Sequence, residues 1–413
     1  MKYKKMAVLL FCLAFVAVHS LSQTEGSLSV EVKRLSENAA VFKVQGGDAN
    51  IVALNSDKGI VVIDTDVSPS FAALLRQEIT KVFGSDDFAY VINTHSHGDH
   101  TYGNQVFADA IIVAHENCPG EMKENSGRVE NTAARLKAAL GQMKAGLEKM
   151  EKDSDQAKGM EQRVAYYEAM LKGYEKDFVL TLPSITFREG MTLHLGNMTL
   201  DMMYFGTSHS KSDILIHCPE EGLWVTGDLF FPRVDLYIDS ERVLELPRWL
   251  ANLEKIVQTE KDTKTIVPGH EEFLTMEKLK KIQDYVKAKQ AEFAGKESAF
   301  FAFRKAFEEQ GLETSLRVLK DLKGKPDAYY TLHDEIDQFA YTMMLDKKLD
   351  EALAIFVVLA ELFPDSYLAY DSLGEVFLRK GDKEKAIQHF EKSLELNPDN
   401  QNAAQQLESL KKK

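Results

Sequence analysis

Seven consecutive residues, Thr94-His95-Ser96-His97-Gly98-Asp99-His100, set three imidazoles and a carboxylate almost side by side. The run before them, Phe88-Ala89-Tyr90-Val91-Ile92-Asn93, is apolar and rich in strand-forming residues, which predicts a buried strand. The polar loop then falls at a strand's carboxyl end, where open α/β sheets hold their chemistry. Neutral imidazole and ionised carboxylate are ordinary ligands for zinc or another borderline divalent ion. A solvated polar loop is the bland alternative, and four such groups within six positions directly after a strand argue against it. A tight loop can aim His95 and His97 at one ion and Asp99 and His100 at a second.

Half a metal site requires partners further along, and three candidates each follow a strand-like run. His209 comes after Met203-Tyr204-Phe205, Asp228 after Leu223-Trp224-Val225-Thr226-Gly227, and His270 after Thr265-Ile266-Val267-Pro268-Gly269. This order resembles the metallo-β-lactamase-fold superfamily: an H-x-H-x-D-H signature, a later histidine, an aspartate in a T-G-D-x-x-F turn, then P-G-H. The resemblance covers about Val30 to Lys289. It implies that His95, His97 and His209 hold a first metal, that Asp99, His100 and His270 hold a second, and that Asp228 bridges them. The strand Gly59-Ile60-Val61-Val62-Ile63-Asp64-Thr65 matches a family element whose acid lies beneath the metal loop. Asp64 is therefore expected to orient a ligand rather than to bind metal.

At 413 residues the chain exceeds one ordinary domain, and 44% apolar residues suffice for real cores. A formal charge of −14 argues against a nucleic-acid partner. Lys2, Lys4 and Lys5 precede the apolar Met6 to Val18, with Ser20 and Ser22 as cleavage points, which reads as a signal peptide over residues 1–22. Its apolar core is short for a bilayer, so the expectation is export to the periplasm or medium without a stable membrane span. A signal anchor is the competing reading. Of the three cysteines, Cys118 and Cys218 remain after cleavage and read as free buried thiols.

The resemblance implies an α/β sandwich of αββα type over 28–293, two sheets with helices outside. Between its first and second ligand groups lies an insertion, about 128–178. Ala133, Leu136, Leu140, Met143, Leu147 and Met150 recur at three- and four-residue spacings, as do Met160, Val164, Tyr167, Leu171, Tyr174 and Phe178. Such stripes predict an antiparallel helical hairpin packed mainly on itself, with a lid over the metal cleft as the functional alternative. From 296 to 413 the sequence turns wholly helical with a 34-residue repeat. Tyr370, Leu373, Gly374, Phe377, Ala386, Phe390 and Pro398 resemble the tetratricopeptide pattern. Ile336, Phe339, Ala340, Met343, Ala352, Phe356 and Pro364 fill the same slots one repeat earlier, giving repeats at 333–366 and 367–400. Such an all-α domain can take a protein or peptide partner or simply stabilise its neighbour.

Two ions sharing Asp228 would acidify a common water, give a hydroxide nucleophile near neutral pH and polarise the group under attack. Asp99 would then orient the attacking oxygen. Zinc suits these ligands best, with manganese or iron as alternatives. The expected activity is hydrolysis of a small ester, lactone, thioester, amide or phosphoester. β-Lactam-cleaving family members carry Cys or Ser where Asp228 stands, which lowers that activity among the options. The family's usual H-T-P-G becomes His209-Ser210-Lys211-Ser212, and Lys211 is a candidate contact for an anionic substrate group. Two other classes remain open: a mononuclear iron enzyme resembling persulfide dioxygenases, and a non-catalytic binding protein working through its repeats.

Overall fold

The structure, a computed structural model, describes residues 28–126, 129–176, 178–232 and 236–411, so the expected leader at 1–22 lies outside the described residues. Strands β1 (Val30–Arg34), β2 (Ala39–Val44), β3 (Ile51–Ser56) and β4 (Gly59–Ile63) form an antiparallel meander. Helix α1 (Pro69–Phe83) then carries the chain to β5 (Phe88–Ile92), parallel to β4. The helix starts where Ser68 accepts from Phe71 N and proline occupies the first turn, and it stops at the left-handed Gly84. A short turn of helix, α2 (Gly98–Thr101), lies inside the histidine loop, and β6 (Ile111–His115) pairs parallel with β5. Helices α3 (Cys118–Ser126), α4 (Val129–Leu147) and α5 (Asp155–Lys176) precede β7 (Ile185–Phe187), which completes a seven-stranded sheet in sequential order.

A second, five-stranded sheet contains β8 (Gly190–His194), β9 (Thr199–Tyr204), β10 (Ile214–Cys218), β11 (Leu223–Gly227) and β12 (Thr265–Pro268), in the order β12-β11-β10-β9-β8. Alternation along the strands builds two apolar layers. Val52, Leu54, Val61 and Ile63 point toward the second sheet and meet Leu200, Met202, Ile214 and Val225. Phe42, Ile51 and Val62 point the other way, onto Phe71, Leu75 and Ile79 of α1. After α6 (Ser240–Val243), α7 (Leu246–Gln258) covers the second sheet's outer face: its Asn252 donates to Tyr204 O at 3.1 Å. The result is the expected αββα sandwich.

The insertion departs from the sequence reading in where its apolar side chains go. Helices α4 and α5 do pack together, but Met170 and Tyr174 of α5 also enter the layer beneath α1. Tyr166 stacks on Phe71 with ring centroids 4.6 Å apart, and the Tyr174 hydroxyl donates to Val67 O at 2.7 Å. A heptad-like stripe reports that a helix has an apolar face, not which surface will cover it. The hairpin is thus a buttress of the first sheet.

The chain divides into two compact units, one running up to Leu236 and including Ala251–Gln283, the other containing Tyr237–Leu250 and everything from Asp284 onward. The division falls inside α8 (Met276–Phe293), not at the 293/296 change of sequence character. Tyr237–Leu250 joins the second unit because Ser240 donates from its N (2.9 Å) and its Oγ (2.8 Å) to the Glu335 carboxylate. Within that unit, β13 (Glu297–Ser298) pairs with β14 (Tyr329–Tyr330). The remainder is helical: α9 (Ala299–Gln310), α10 (Leu312–Lys323), α11 (His333–Leu345), α12 (Leu349–Leu362), α13 (Tyr367–Lys380), α14 (Lys383–Leu396) and α15 (Gln401–Lys411). Ala352 and Phe356, like Ala386 and Phe390 one repeat later, are fully buried. No helix among the described residues is long and apolar enough to cross a membrane.

Close approach of α13 to α14 depends on Gly374, where a Cβ would come within 2.6 Å of the Phe390 ring. Gly374→Ala should therefore destabilise the second unit by about 1–3 kcal/mol through overpacking. Urea unfolding of the full chain, with hydrogen exchange followed in α13 and α14, checks this. Adding Phe390→Leu should recover part of the loss, and an unchanged exchange pattern in Gly374→Ala would contradict the packing assignment.

Candidate metal centre

The histidine loop leaves β5 and doubles back over the end of β4, where Asp64 sits at a φ of +64°. That strained backbone is held from several sides. Asp64 Oδ1 accepts from Thr94 N at 2.8 Å, Oδ2 accepts from Thr94 Oγ1 at 2.7 Å, and Oδ2 also lies 2.8 Å from His100 Nδ1. One carboxylate thus fixes both ends of the loop and turns the His100 Nε2 outward. Beneath it, Asn93 and Asn104 exchange hydrogen bonds at 3.0 and 2.9 Å, and Asn93 also donates to His100 O.

Three more strand ends deliver the remaining donors. His209 arrives after β9, Asp228 after β11 and His270 after β12. The seven side chains gather as two groups, His95 with His97 and His209, and Asp99 with His100, Asp228 and His270. Donor atoms within each group lie within 4.8 Å of one another. Asp228 reaches both. Its Oδ2 is 3.9 Å from His95 Nε2, 3.4 Å from His209 Nε2 and 3.4 Å from His270 Nε2, while Oδ1 is 3.3 Å from His100 Nε2. Asp99 Oδ2 lies 3.1 Å from His270 Nε2.

Two observations show that these residues fit cations. His95 Nε2 is completely buried and has no hydrogen-bond partner among the described residues, an arrangement that is costly unless a ligand satisfies it. Gly269, just before His270, leaves room where any Cβ would collide with Asp228 Oδ1 and crowd the His100 ring.

Electrostatics distinguish the two groups. Burial holds His95 far below its ordinary pKa, lowers His97, and brings His209 down to about 4, so the first group offers neutral imidazoles. Burial also opposes charge on His100, but the carboxylates of Asp228 and Asp64 outweigh it and raise its pKa. For His270 the same opposition is overcome by Asp228, Asp48 and Asp99, which push it up to about 12. Against burial, the neighbouring histidines hold Asp228 and Asp99 ionised, below the usual carboxylate range. The Nε2 atoms of His100 and His270 are 3.1 Å apart, so one donates to the other and the rings carry their proton as a coupled pair. A cation bound by both Nε2 atoms would displace that proton.

Sequence reading missed several supports. Asp48 Oδ1 stands 3.2 Å from His270 Nδ1, and its turn is braced by the Tyr166 ring lying against Gly46 and Gly47. Asn50 donates to Pro268 O at 2.9 Å and Glu271 O at 3.1 Å, stitching the β2–β3 turn to the His270 loop. The His209 loop is fastened by Asp213, which accepts from Ser210 N and Oγ at 2.6 and 3.0 Å. Glu121 of α3 accepts from Lys211 N at 2.9 Å and Ser212 Oγ at 2.6 Å. Lys211 itself is exposed, and the contacts that fix it run through its backbone. Cys118 and Cys218 are free and buried.

A two-sheet sandwich faced by helices, with histidine and aspartate donors collected at strand ends, defines a metal-site protein of αββα class. The chain belongs to the metallo-beta-lactamase superfamily, whose model matches residues 44–270. A tetratricopeptide-repeat model matches residues 367–400. Among solved structures, a metallo-beta-lactamase from Pontibacter korlensis is similar at 15% identity and a TM-score of 0.43, over 62% of this chain and 99% of that one. Another from Erythrobacter litoralis gives 12% and 0.40, over 65% and 100%. A mono-zinc metallo-beta-lactamase from Pseudomonas aeruginosa gives 12% and 0.40, over 63% and 96%. No curated protein matches the sequence.

Asp48→Asn should weaken binding at the second group by about 10–100-fold and leave the first group unaffected, measured by competitive metal titration. Metal loading at pH 7 should release about one proton from the His100–His270 pair, so affinity should fall as pH is lowered. Calorimetry in buffers of different ionisation enthalpy reads that proton directly. Loading without proton release would show that the pair is neutral when empty.

Proposed function

We propose that this chain is an exported hydrolase that works with two divalent metal ions, zinc fitting the donor set best. The single observation that carries the reading is Asp228, whose two oxygens reach donors of both groups. In this reading His95, His97 and His209 hold one ion, Asp99, His100 and His270 the other, and Asp228 touches each. Asp64 and Asp48 orient His100 and His270 from behind. Bound there, a pair of divalent ions supplies Lewis acidity that acidifies a water and polarises the bond to be cleaved.

The chain's own residues divide the remaining work. The side chains of His95, His100 and Asp228 are 0%, 0% and 6% exposed, whereas those of His209 and Asp99 are 33% and 41% exposed. The cleft therefore opens beside His209 and Asp99. Asp99, ionised and solvent-facing, is placed to orient the attacking oxygen as a hydrogen-bond acceptor. Phe231, with its ring centroid 6.3 Å from His209 and 6.4 Å from His270, gives the opening an apolar flank. A small uncharged group on the substrate would rest there, and exposed Lys211 is available to an anionic one. The formal charge of −14 disfavours nucleic-acid substrates. Export rests on the Lys2-Lys4-Lys5 and Met6–Val18 leader pattern, and protein binding by the second unit rests on its tetratricopeptide repeat.

Metal analysis of purified protein, followed by a hydrolysis panel, tests the proposal. The panel spans esters, lactones, thioesters, amides, phosphodiesters and β-lactams. His97→Ala should lose metal from the first group. Asp99→Asn should keep the first ion and lower kcat by about 10²–10⁴-fold on whichever substrate is cleaved. Wild-type rates and metal content in both variants would sink the assignment.

A further inference from the structure

The second unit contains a cavity of about 250 Å³ that plays no part in the metal chemistry. One wall is a single face of α11, where Glu335, Gln338, Phe339 and Thr342 follow at helical spacing. Opposite stand Phe300 and Phe301 of α9, and the segment Tyr237 to Glu241 closes a third side. The volume lies below the usual range for a drug-sized ligand and suits one extended side chain or a small amine.

Its lining mixes two kinds of group that attract the same partner. Tyr237, Phe300, Phe301 and Phe339 present aromatic surface, and the Phe300 and Phe339 rings lock edge to face at 6.0 Å. Glu241 and Glu335 supply two carboxyl groups, Asp239 supplies a third that is paired with Arg242, and neither lysine nor arginine lines the cavity. An anion would be repelled here, and a neutral apolar group would strand the carboxylates away from water. A cation satisfies both the ring faces and the acids.

The chain already displays this chemistry at the rim. The Arg242 guanidinium lies 5.1 Å over the Tyr237 ring and pairs with Asp239. Deeper in, Glu335 is 6% exposed and, among the described residues, each of its two oxygens accepts one hydrogen bond from Ser240, which leaves lone pairs for a further donor. Burial pushes Glu335 up to about 7, and the negative charges of Asp239 and Glu241 push it the same way. Glu241 is exposed at the mouth.

We propose that this cavity binds an ammonium or guanidinium group carried on an aliphatic stem, with the stem against Phe300, Phe301 and Phe339 and the charge between Glu241 and Glu335. Such a group comes either from a lysine or arginine side chain of a peptide or from a free alkylamine. Saturation-transfer NMR on the full chain, with N-acetyl-lysine methylamide, N-acetyl-arginine methylamide, cadaverine and N-acetyl-norleucine methylamide as probes, decides the matter. Cationic probes should bind saturably, and norleucine, which keeps the stem and loses the charge, should bind at least about tenfold more weakly. Preference for the capped amino acids identifies a peptide side chain, and preference for cadaverine identifies a free amine. Glu241→Gln alters an exposed residue and should weaken the cationic probes about threefold or more. Glu335→Gln, which retains an acceptor for Ser240, should weaken them further. No saturable binding by any cationic probe, equal binding of norleucine, or wild-type affinity in both variants would overturn the proposal.

Discussion

A carboxylate buried behind an imidazole is the contact on which the metal centre depends. Asp64 lies at 1% exposure at the end of β4, in a backbone conformation that residues other than glycine rarely adopt. It accepts from the Thr94 backbone and hydroxyl and bonds His100. The strained φ is tolerable because three hydrogen bonds need the carboxylate where it is. Without them the loop from Thr94 to His100 would be a flexible polar connection, and its three imidazoles would have no fixed directions. A neutral side chain of the same shape would keep the packing and lose the pull that holds Nδ1 of His100 as a donor.

Outward from that contact the site is assembled by turns that have no chemistry of their own. Asn50 and Asp48 sit on the β2–β3 turn, yet they fasten the loop that carries His270, with 218 residues separating Asn50 from Pro268. The turn is in turn pressed by Tyr166 of the helical insertion. The insertion therefore contributes to the second donor group through packing, without supplying a donor. Asp213 and Glu121 perform the same service for the His209 loop. Each donor is aimed by a neighbour distant in sequence, which is why the donors can be sparse and still converge.

That arrangement explains what could be read from the chain. The seven donors were legible because each follows an apolar strand and because their types and order form a rare combination. The apolar run from Gly59 to Ile63 was likewise legible as a strand, whose Ile60 and Val62 enter one apolar layer and Val61 and Ile63 the other. Asp48 and Asn50 were not legible, since a Gly46-Gly47-Asp48 stretch looks like any turn until the fold brings it to the end of β12. The stripe of α5 revealed a helix but not that Met170 and Tyr174 would enter the sheet's own core. The two compact units divide at a different place from the change in residue character. Residue character changes near 293, whereas contacts are set by Ser240 bonding to Glu335, a pairing between one buried hydroxyl residue and one acid that leaves no periodic trace.

Graded burial gives the centre its division of labour. Neutral, enclosed His95 cannot trade its place with water, so it fixes position and nothing else. The coupled His100–His270 pair stands among the carboxylates of Asp228, Asp99, Asp64 and Asp48, whose pull raises both histidines above their ordinary pKa. Asp228 and Asp99, held ionised, thus have proton-bearing imidazoles beside them, and a buried charge such as that of Asp228 would cost several kcal/mol if left unpaired. A proton on the His100–His270 pair competes with metal for the second group. Neutral imidazoles in the first group impose no such competition. Protonation and metal binding pull in opposite directions at His100 and His270, and the fold confines that conflict to one of the two groups.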